Sequence, residues 1–328
     1  MSVDFNRLFE DFNRLKVLIV GDVMIDAYIV GKVDRISPEA PVPVVSVTGR
    51  EHRLGGAANV ALNIKSLGAH PFICSVIGND EGGKEITQLF ENAGVNCEGI
   101  VSSTSRITTV KTRVMGNNMQ MLRIDEEVTN PINEQESQNL VDAIEKLLPQ
   151  MDVVIFEDYD KGVLTQQNIE AIITMANKHN IPTIVDPKKL NFAHYKKATL
   201  FKPNLKEIKE GLKTDDNLKD FDNLKNAIAQ LKTLLDNPMV MVTLSELGVM
   251  ITDHQHHHHW PAHVRNIADV SGAGDTVVSV AALCLALGSD MKITAFLSNI
   301  AGGLVCEKVG VVPIEKQQLL QEAIRLYN

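Results

Sequence analysis

The chain has 328 residues, an apolar share of 44% and a formal net charge of −9. That length and apolar share suit a large α/β core, and the negative charge argues against a nucleic-acid partner held by electrostatics. The acidic residues are dispersed, which also argues against a disordered acidic tail.

In chain order, KVLIVGD (Lys16–Asp22) predicts a buried strand, and AANVALNIKSLGA a helix that stops at Gly68. PFICSVIG predicts a strand and Asp80 to Gly94 a helix; DVVIFED predicts a strand and Gln166 to Asn180 a helix. PTIVDP and ATLFKPN read as strands, Leu205 to Leu212 as a short helix, and PMVMVTLS and GVMITD as strands. Two helices are expected to close the chain, one after Gly274 and one from Lys292 to Lys308. Repeated βα units with short connections predict a doubly wound, mostly parallel sheet flanked by helices.

Two regions break this rhythm. Residues 27–53 contain ISPEAPVPVVSVTGREHR, rich in proline and β-branched residues, and residues 106–125 read as a hairpin around Gly116-Asn117-Asn118. Both are expected to be antiparallel strands added to the main sheet, forming a small β-lid over its carboxyl edge. The four cysteines (Cys74, Cys97, Cys284, Cys306) form no CxxC pair, which fits small buried thiols in a reduced cytoplasmic protein. The N-terminus lacks the apolar stretch of a secretory signal, and runs such as VVSVAALCLALG are too short to span a bilayer.

Several motifs have both a bland and a chemical reading. GNDEGGKE (Gly78–Glu85) nearly matches a P-loop, but Glu85 stands where Ser or Thr must hold Mg²⁺, so a polar turn is the better reading. No GxGxxG follows the first strand. LGGAANVALN places Gly55 and Gly56 before a helix with Asn59 in its first turn: either a flexible cap, or a close approach to a small polar ligand. Asp22, with Asp26 four residues on, stands at the carboxyl end of the first strand and is either structural or an acceptor for sugar hydroxyls. Lys111 and Arg113 share a strand face, as do Arg123 and Asp125; a solvated hairpin face competes with a cationic patch for a phosphorylated substrate. In FKPNLKE, Asn204 and Glu207 read first as a capping box, and the same acceptors could hold Mg²⁺ through water. DHQHHHHW (Asp253–Trp260) would put His254, His256 and His258 on one face of a strand, but an exposed turn and edge strand is favoured over a zinc site.

DVSGAGDT (Asp269–Thr276) carries the strongest signal. A Gly272-Ala273-Gly274 turn feeding an apolar helix leaves backbone N–H groups pointing one way, and with the helix dipole these form an anion site. Asp275, just inside that helix, makes sense as the acceptor of a proton from a hydroxyl that attacks a phosphate.

Over nearly its whole length the chain resembles the ribokinase-like (phosphofructokinase-B) sugar kinases. The resemblance rests on GGAANVA, the Gly-x-Asp-x-x-Gly turn at Gly78 to Gly83, KPNLKE and DVSGAGD, with Ser271 where the family usually has Thr. Within the family the chain is most similar to bacterial heptose 7-phosphate kinases, through RISPEAPVPV (Arg35–Val44), EDYDKG, DPK and TLSELG (Thr243–Gly248), although Leu244 replaces an Arg common in that group. The resemblance implies transfer of the ATP γ-phosphate to the anomeric hydroxyl of D-glycero-β-D-manno-heptose 7-phosphate. It implies Asp275 as base, and Gly272, Ala273 and Gly274 as anion hole. Asn204 and Glu207 would organise Mg²⁺, and Thr243, Ser245, Gly248, Ser271 and Asn299 would surround the nucleotide. Asp22, Gly55, Gly56 and Asn59 would bind the sugar. Lys111, Arg113, Arg123, Lys161 and Lys188 are the candidates for its phosphate. The family pattern further implies K⁺ near Asp269, a homodimer through the lid, one kinase domain over residues 1–328, and a separate nucleotidyltransferase for the next step. The competing expectations are a kinase for fructose 1- or 6-phosphate or ribose, and a non-catalytic sugar sensor; the intact base and anion turn argue against the sensor.

Overall fold

A computed structural model of the chain describes residues 3–253, 256–263 and 265–327. Helix α1 (Phe5–Asp11) buries Phe5 and Phe9 and leads into β1 (Lys16–Gly21), whose apolar run is buried almost throughout, as a central parallel strand requires. Then follow β2 (Val23–Ile36), β3 (Pro43–Gly56), α2 (Ala57–Ser66), β4 (His70–Gly78), α3 (Glu81–Ala93) and β5 (Asn96–Ser103). β6 (Val110–Gly116) and β7 (Met119–Glu126) form the expected hairpin; Asn117 and Asn118 have φ +52° and +64°, the two positive values of a type I′ turn. Next come α4 (Glu134–Leu147), β8 (Val153–Glu157), α5 (Gln166–Lys178), β9 (Thr183–Asp186), β10 (Leu200–Phe201), α6 (Leu205–Leu212) and α7 (Phe221–Leu235). β11 (Met239–Thr243), β12 (Val249–Thr252), β13 (His257–Trp260), α8 (Ala273–Ala286), α9 (Met291–Val305) and α10 (Lys316–Leu326) complete the chain.

Nine strands form one sheet in the order β13-β12-β11-β10-β9-β8-β1-β4-β5. Pairing is parallel from β5 to β11 and antiparallel for β12 and β13. One apolar core lies under α1, α2, α8, α9 and α10, and the other under α4, α5, α6 and α7. The strand order reverses at β1, so the crevice outside the carboxyl ends of β1 and β8 is the switch point where such sheets bind ligands.

The sequence expectations need three corrections. The lid strands form their own four-stranded sheet, in the order β3-β2-β6-β7, rather than extending the main one. β2 and β6 also pair in parallel, because the whole β3-to-β5 stretch intervenes as a crossover. Three helices, not two, close the chain: α10 buries Leu319 and Ala323. The P-loop-like GNDEGGKE is a helix cap, with the Asp80 carboxylate accepting from Gly83 N at 2.7 Å and from Thr108 N at 2.8 Å.

Alternation along the lid strands divides its faces. Ala27, Thr112, Val114, Leu122 and Ile124 share one side; Asp26, Tyr28, Lys111, Arg113, Arg123 and Asp125 share the other.

Candidate active site

Gly272 caps the amino end of α8 with φ +78°, a left-handed value that suits glycine, and a Cβ there would lie 3.2 Å from Asn59 Nδ2. The helix therefore begins at Ala273, two residues earlier than expected, and its free N–H groups open beside Asn59. Asp275 lies in the first turn, 7% exposed. Its Oδ2 accepts from Asn59 Nδ2 at 2.7 Å and its Oδ1 from the Tyr159 hydroxyl at 2.9 Å. Burial pushes its pKa up to about 6, aided by Asp186 and opposed by the Asn59 and Tyr159 donors and by Lys188. A carboxylate with that affinity is ionised at neutral pH yet ready to take a proton. The side-chain Oδ1 of Asn59 is buried without a hydrogen-bond partner among the described residues, so an acceptor for a ligand hydroxyl stands beside the base.

Beneath the glycine turn lie residues that the motifs did not single out as a site. Glu157 ends β8 and Asp186 ends β9, and one oxygen from each lies within 4.8 Å of the other and of Asp275. Lys202, buried after β10, bonds Asp186 at 2.9 Å. Lys188 bonds Glu207 at 2.9 Å and sits 5.3 Å from the centre of the Tyr159 ring. Burial works to discharge both lysines, but Asp186 first and then Glu207 outweigh it and hold them charged.

Asp22 is used differently from Asp26. Its buried carboxylate accepts from the backbone N–H groups of Tyr159 (2.9 Å), Lys161 (3.1 Å) and Val163 (3.0 Å), fastening the loop that presents Tyr159. Burial and then Asp158 push its pKa up to about 6 against those three donors. Asp26 lies beside Gly55, where a side chain would collide with its carboxylate, and is paired with Arg113. The expected phosphate-binding cations are all in ion pairs: Lys111 with Asp125 (3.1 Å) and Glu127 (2.7 Å), Arg113 with Asp26, Arg123 with Asp125 (2.9 Å), Lys161 with Glu127 (2.7 Å) and Lys188 with Glu207. Arg106 differs. Among the described residues it makes no ion pair, its Nη2 donates to the Val128 and Lys161 carbonyls, and its buried Nη1 has no partner. It lines a cleft with Asp22, Ile107, Thr109 and Lys161.

The capping box of α6 forms as read: Glu207 N donates to Asn204 Oδ1 at 2.9 Å, and Asn204 N to Glu207 Oε2 at 2.8 Å. Asn204 bridges to Thr243, and Thr243 to Gly248 makes the turn between β11 and β12, with φ +54° at Ser245 and +93° at Gly248. Asn299 on α9 holds the neighbouring Pro261 carbonyl at 2.9 Å. Asp269 shapes the entry to the glycine turn: it accepts from Ser271 N at 2.9 Å and Gly310 N at 3.0 Å, and these amides, Ser271 first, hold its carboxyl below the usual range. His254 lies outside the described residues. His256 precedes β13, and His257, His258 and His259 lie in it at the edge of the sheet, where His257 bonds Thr252 and His259 the Leu247 carbonyl.

A doubly wound sheet, a glycine-capped helix terminus for an anion and a buried carboxylate beside it define a phosphotransferase of the α/β class. The chain belongs to the pfkB family of carbohydrate kinases, whose model matches residues 14–317. D-beta-D-heptose 7-phosphate kinase of Bordetella bronchiseptica is 40% identical over 96% of this chain and 98% of its own length. Bifunctional protein HldE of Desulfatibacillum aliphaticivorans is 40% identical over 94% of this chain, and the match spans 63% of HldE's length. In structure, phosphofructokinase-2 from Escherichia coli in complex with potassium superposes with a TM-score of 0.80 at 18% identity, covering 96% of this chain and 99% of that one. Arabidopsis thaliana ribokinase complexed with ribose and ATP gives 0.72 at 16% identity, covering 94% and 99%. The fold is ribokinase-like, and a kinase of this family works with ATP and a divalent metal.

Proposed function

We propose that the chain phosphorylates the anomeric hydroxyl of D-glycero-β-D-manno-heptose 7-phosphate, giving the 1,7-bisphosphate of ADP-heptose synthesis. The observation that carries the chemistry is Asp275, a buried carboxylate at the mouth of a glycine-capped helix. The full-length similarity to the Bordetella kinase supports the substrate. Asp275 takes the proton as the sugar oxygen forms its bond to the γ-phosphorus; the bond from that phosphorus to the β-phosphate bridging oxygen breaks, and ADP leaves. The N–H groups of Gly272, Ala273 and Gly274 receive the phosphoryl charge. Ser245, Gly248, Ser271 and Asn299 line the nucleotide.

Mg²⁺ suits Asn204 and Glu207 only through water, because their oxygens already serve the capping box and Lys188. Bound there, it would neutralise phosphate charge. K⁺ would sit near Asp269, whose carboxylate already braces the turn. Asn59, Gly55, Gly56 and Asp26 would hold the sugar, with Asp22 acting through the loop it fastens. Arg106, the lid-stem cation without a carboxylate, is the best-suited anchor for the 7-phosphate, with Lys111, Arg113, Arg123 and Lys161 framing it. The protein would work as a cytoplasmic homodimer and hand its product to a nucleotidyltransferase.

Measuring ADP release across heptose 7-phosphate, fructose 1- and 6-phosphate and ribose tests the substrate. Turnover with heptose 7-phosphate at least tenfold above the others is expected. An inert heptose 7-phosphate beside an active fructose phosphate refutes it.

A further inference from the structure

Glu157 has no exposed surface, and among the described residues neither carboxylate oxygen has a hydrogen-bond partner. Three donors around it each have another partner: Lys202 pairs with Asp186, Lys188 with Glu207, and the Tyr159 hydroxyl donates to Asp275. The charged groups that face it are Asp186, Asp275, Lys188 and Lys202. An ionised carboxylate without a partner is among the costliest groups to bury, and three carboxyl groups within 4.8 Å do not all ionise beside two ammonium groups that are already paired.

We propose that Glu157 holds the proton of this cluster, staying a neutral carboxylic acid in the working enzyme so that Asp275 remains free to act as base. Glu157 is thus a positioning residue. It touches no substrate, and it keeps a third negative charge out of the floor on which the phosphates arrive. That floor is close: a Cβ on Gly274 would lie 3.5 Å from Asp186 Oδ2 and 3.9 Å from Lys202 Nζ. Burial first, then Asp186 and Asp275, raises the proton affinity of Glu157, while Lys188 and Lys202 oppose them. The Lys202 ammonium already offsets the charge of Asp186 at 2.9 Å, which leaves less anionic charge here for a metal ion to neutralise. The role in turnover rests on the kinase reading of the site, whereas the protonation does not.

Infrared difference spectra of the full chain in H₂O and D₂O test the protonation without substrate. The carbonyl stretch of a buried protonated carboxyl is expected in the wild type at neutral pH and is lost in Glu157→Gln. The pH profile of kcat tests the role. The wild-type rate is expected to fall on the alkaline side as Glu157 ionises. Glu157→Gln, which cannot ionise, removes that fall and stays within about tenfold of wild type at neutral pH. It thereby rescues most of what Glu157→Ala loses. The proposal is overturned if the carboxyl band is absent from the wild type or survives in Glu157→Gln. It is also overturned if the two alkaline limbs coincide, or if nucleotide-free protein binds Mn²⁺ by paramagnetic resonance in a Glu157-dependent way.

Discussion

Asp275, the proposed base, works against stability at neutral pH. Its pKa of about 6 in the folded chain exceeds the ordinary 3.8, so the folded state binds the proton more tightly than the unfolded one. The stability this contributes is fully present below about pH 4, fades as pH rises through about 6, and is absent at neutral pH, a difference on the order of 3 kcal/mol. Asp275→Asn is therefore expected to abolish turnover by about 10³-fold or more while raising neutral-pH stability by about 1–3 kcal/mol. Steady-state rates and urea unfolding of the same sample check both signs; a variant that is both inactive and less stable would contradict this account. Catalysis should also decline below about pH 6 as the base protonates. Tyr159→Phe removes a donor that favours the ionised form, so its acid limb should move to higher pH. An unmoved limb in that variant would mean that the hydroxyl does not tune the base.

At the scale of elements, what the sequence made legible was local. The glycine cap of α8 and the Asn204–Glu207 capping box are written within a few residues, and both form. The apolar strand runs were legible for the same reason. Helices α1, α4, α7 and α10 were missed because no continuous apolar run marks them, although Leu224, Ala227, Ile228, Leu231 and Leu235 of α7 do recur at helical spacing. The cluster of Glu157, Asp186 and Lys202 was illegible because three separate strand ends build it. Read from the sequence, the sugar falls to Asp22 and not to Asp26; the turn from β1 into β2 sends Asp22 under the loop at Tyr159 and Asp26 to the charged face of the lid. The same geometry decides among the lid cations, since a cation already paired has less to offer a phosphate than one without a partner. Arg106→Gln should raise KM for the sugar phosphate by about 10- to 100-fold with little change in KM for ATP, whereas Arg123→Gln should move it less than about threefold. Equal effects of the two substitutions would place the phosphate elsewhere.

At the scale of the whole molecule, the lid is the one sheet left without a second layer. Near its stem the apolar side packs into the core through Ile25 and Leu54, but further out Leu122 and Ile124 are 55% and 45% exposed on that same side. The other side is taken by the ion pairs that frame the substrate crevice, so the two faces cannot exchange roles without reversing the register. A contiguous apolar row on an otherwise charged chain marks a surface that another surface covers. In the proposed homodimer a second copy of the same lid would supply a matching one, because a two-fold axis brings identical patches together. Covering the outer side would also stiffen the sheet whose inner side carries Asp26, Lys111 and Arg113, which links assembly to substrate affinity. Leu122→Glu places a charge in the middle of this row without touching the site. It should convert a dimer to a monomer in sedimentation velocity and raise KM for the sugar, while the wild type sediments as a dimer. A wild-type monomer, or a Leu122→Glu dimer with unchanged KM, would show that the lid closes over the substrate without help from a partner.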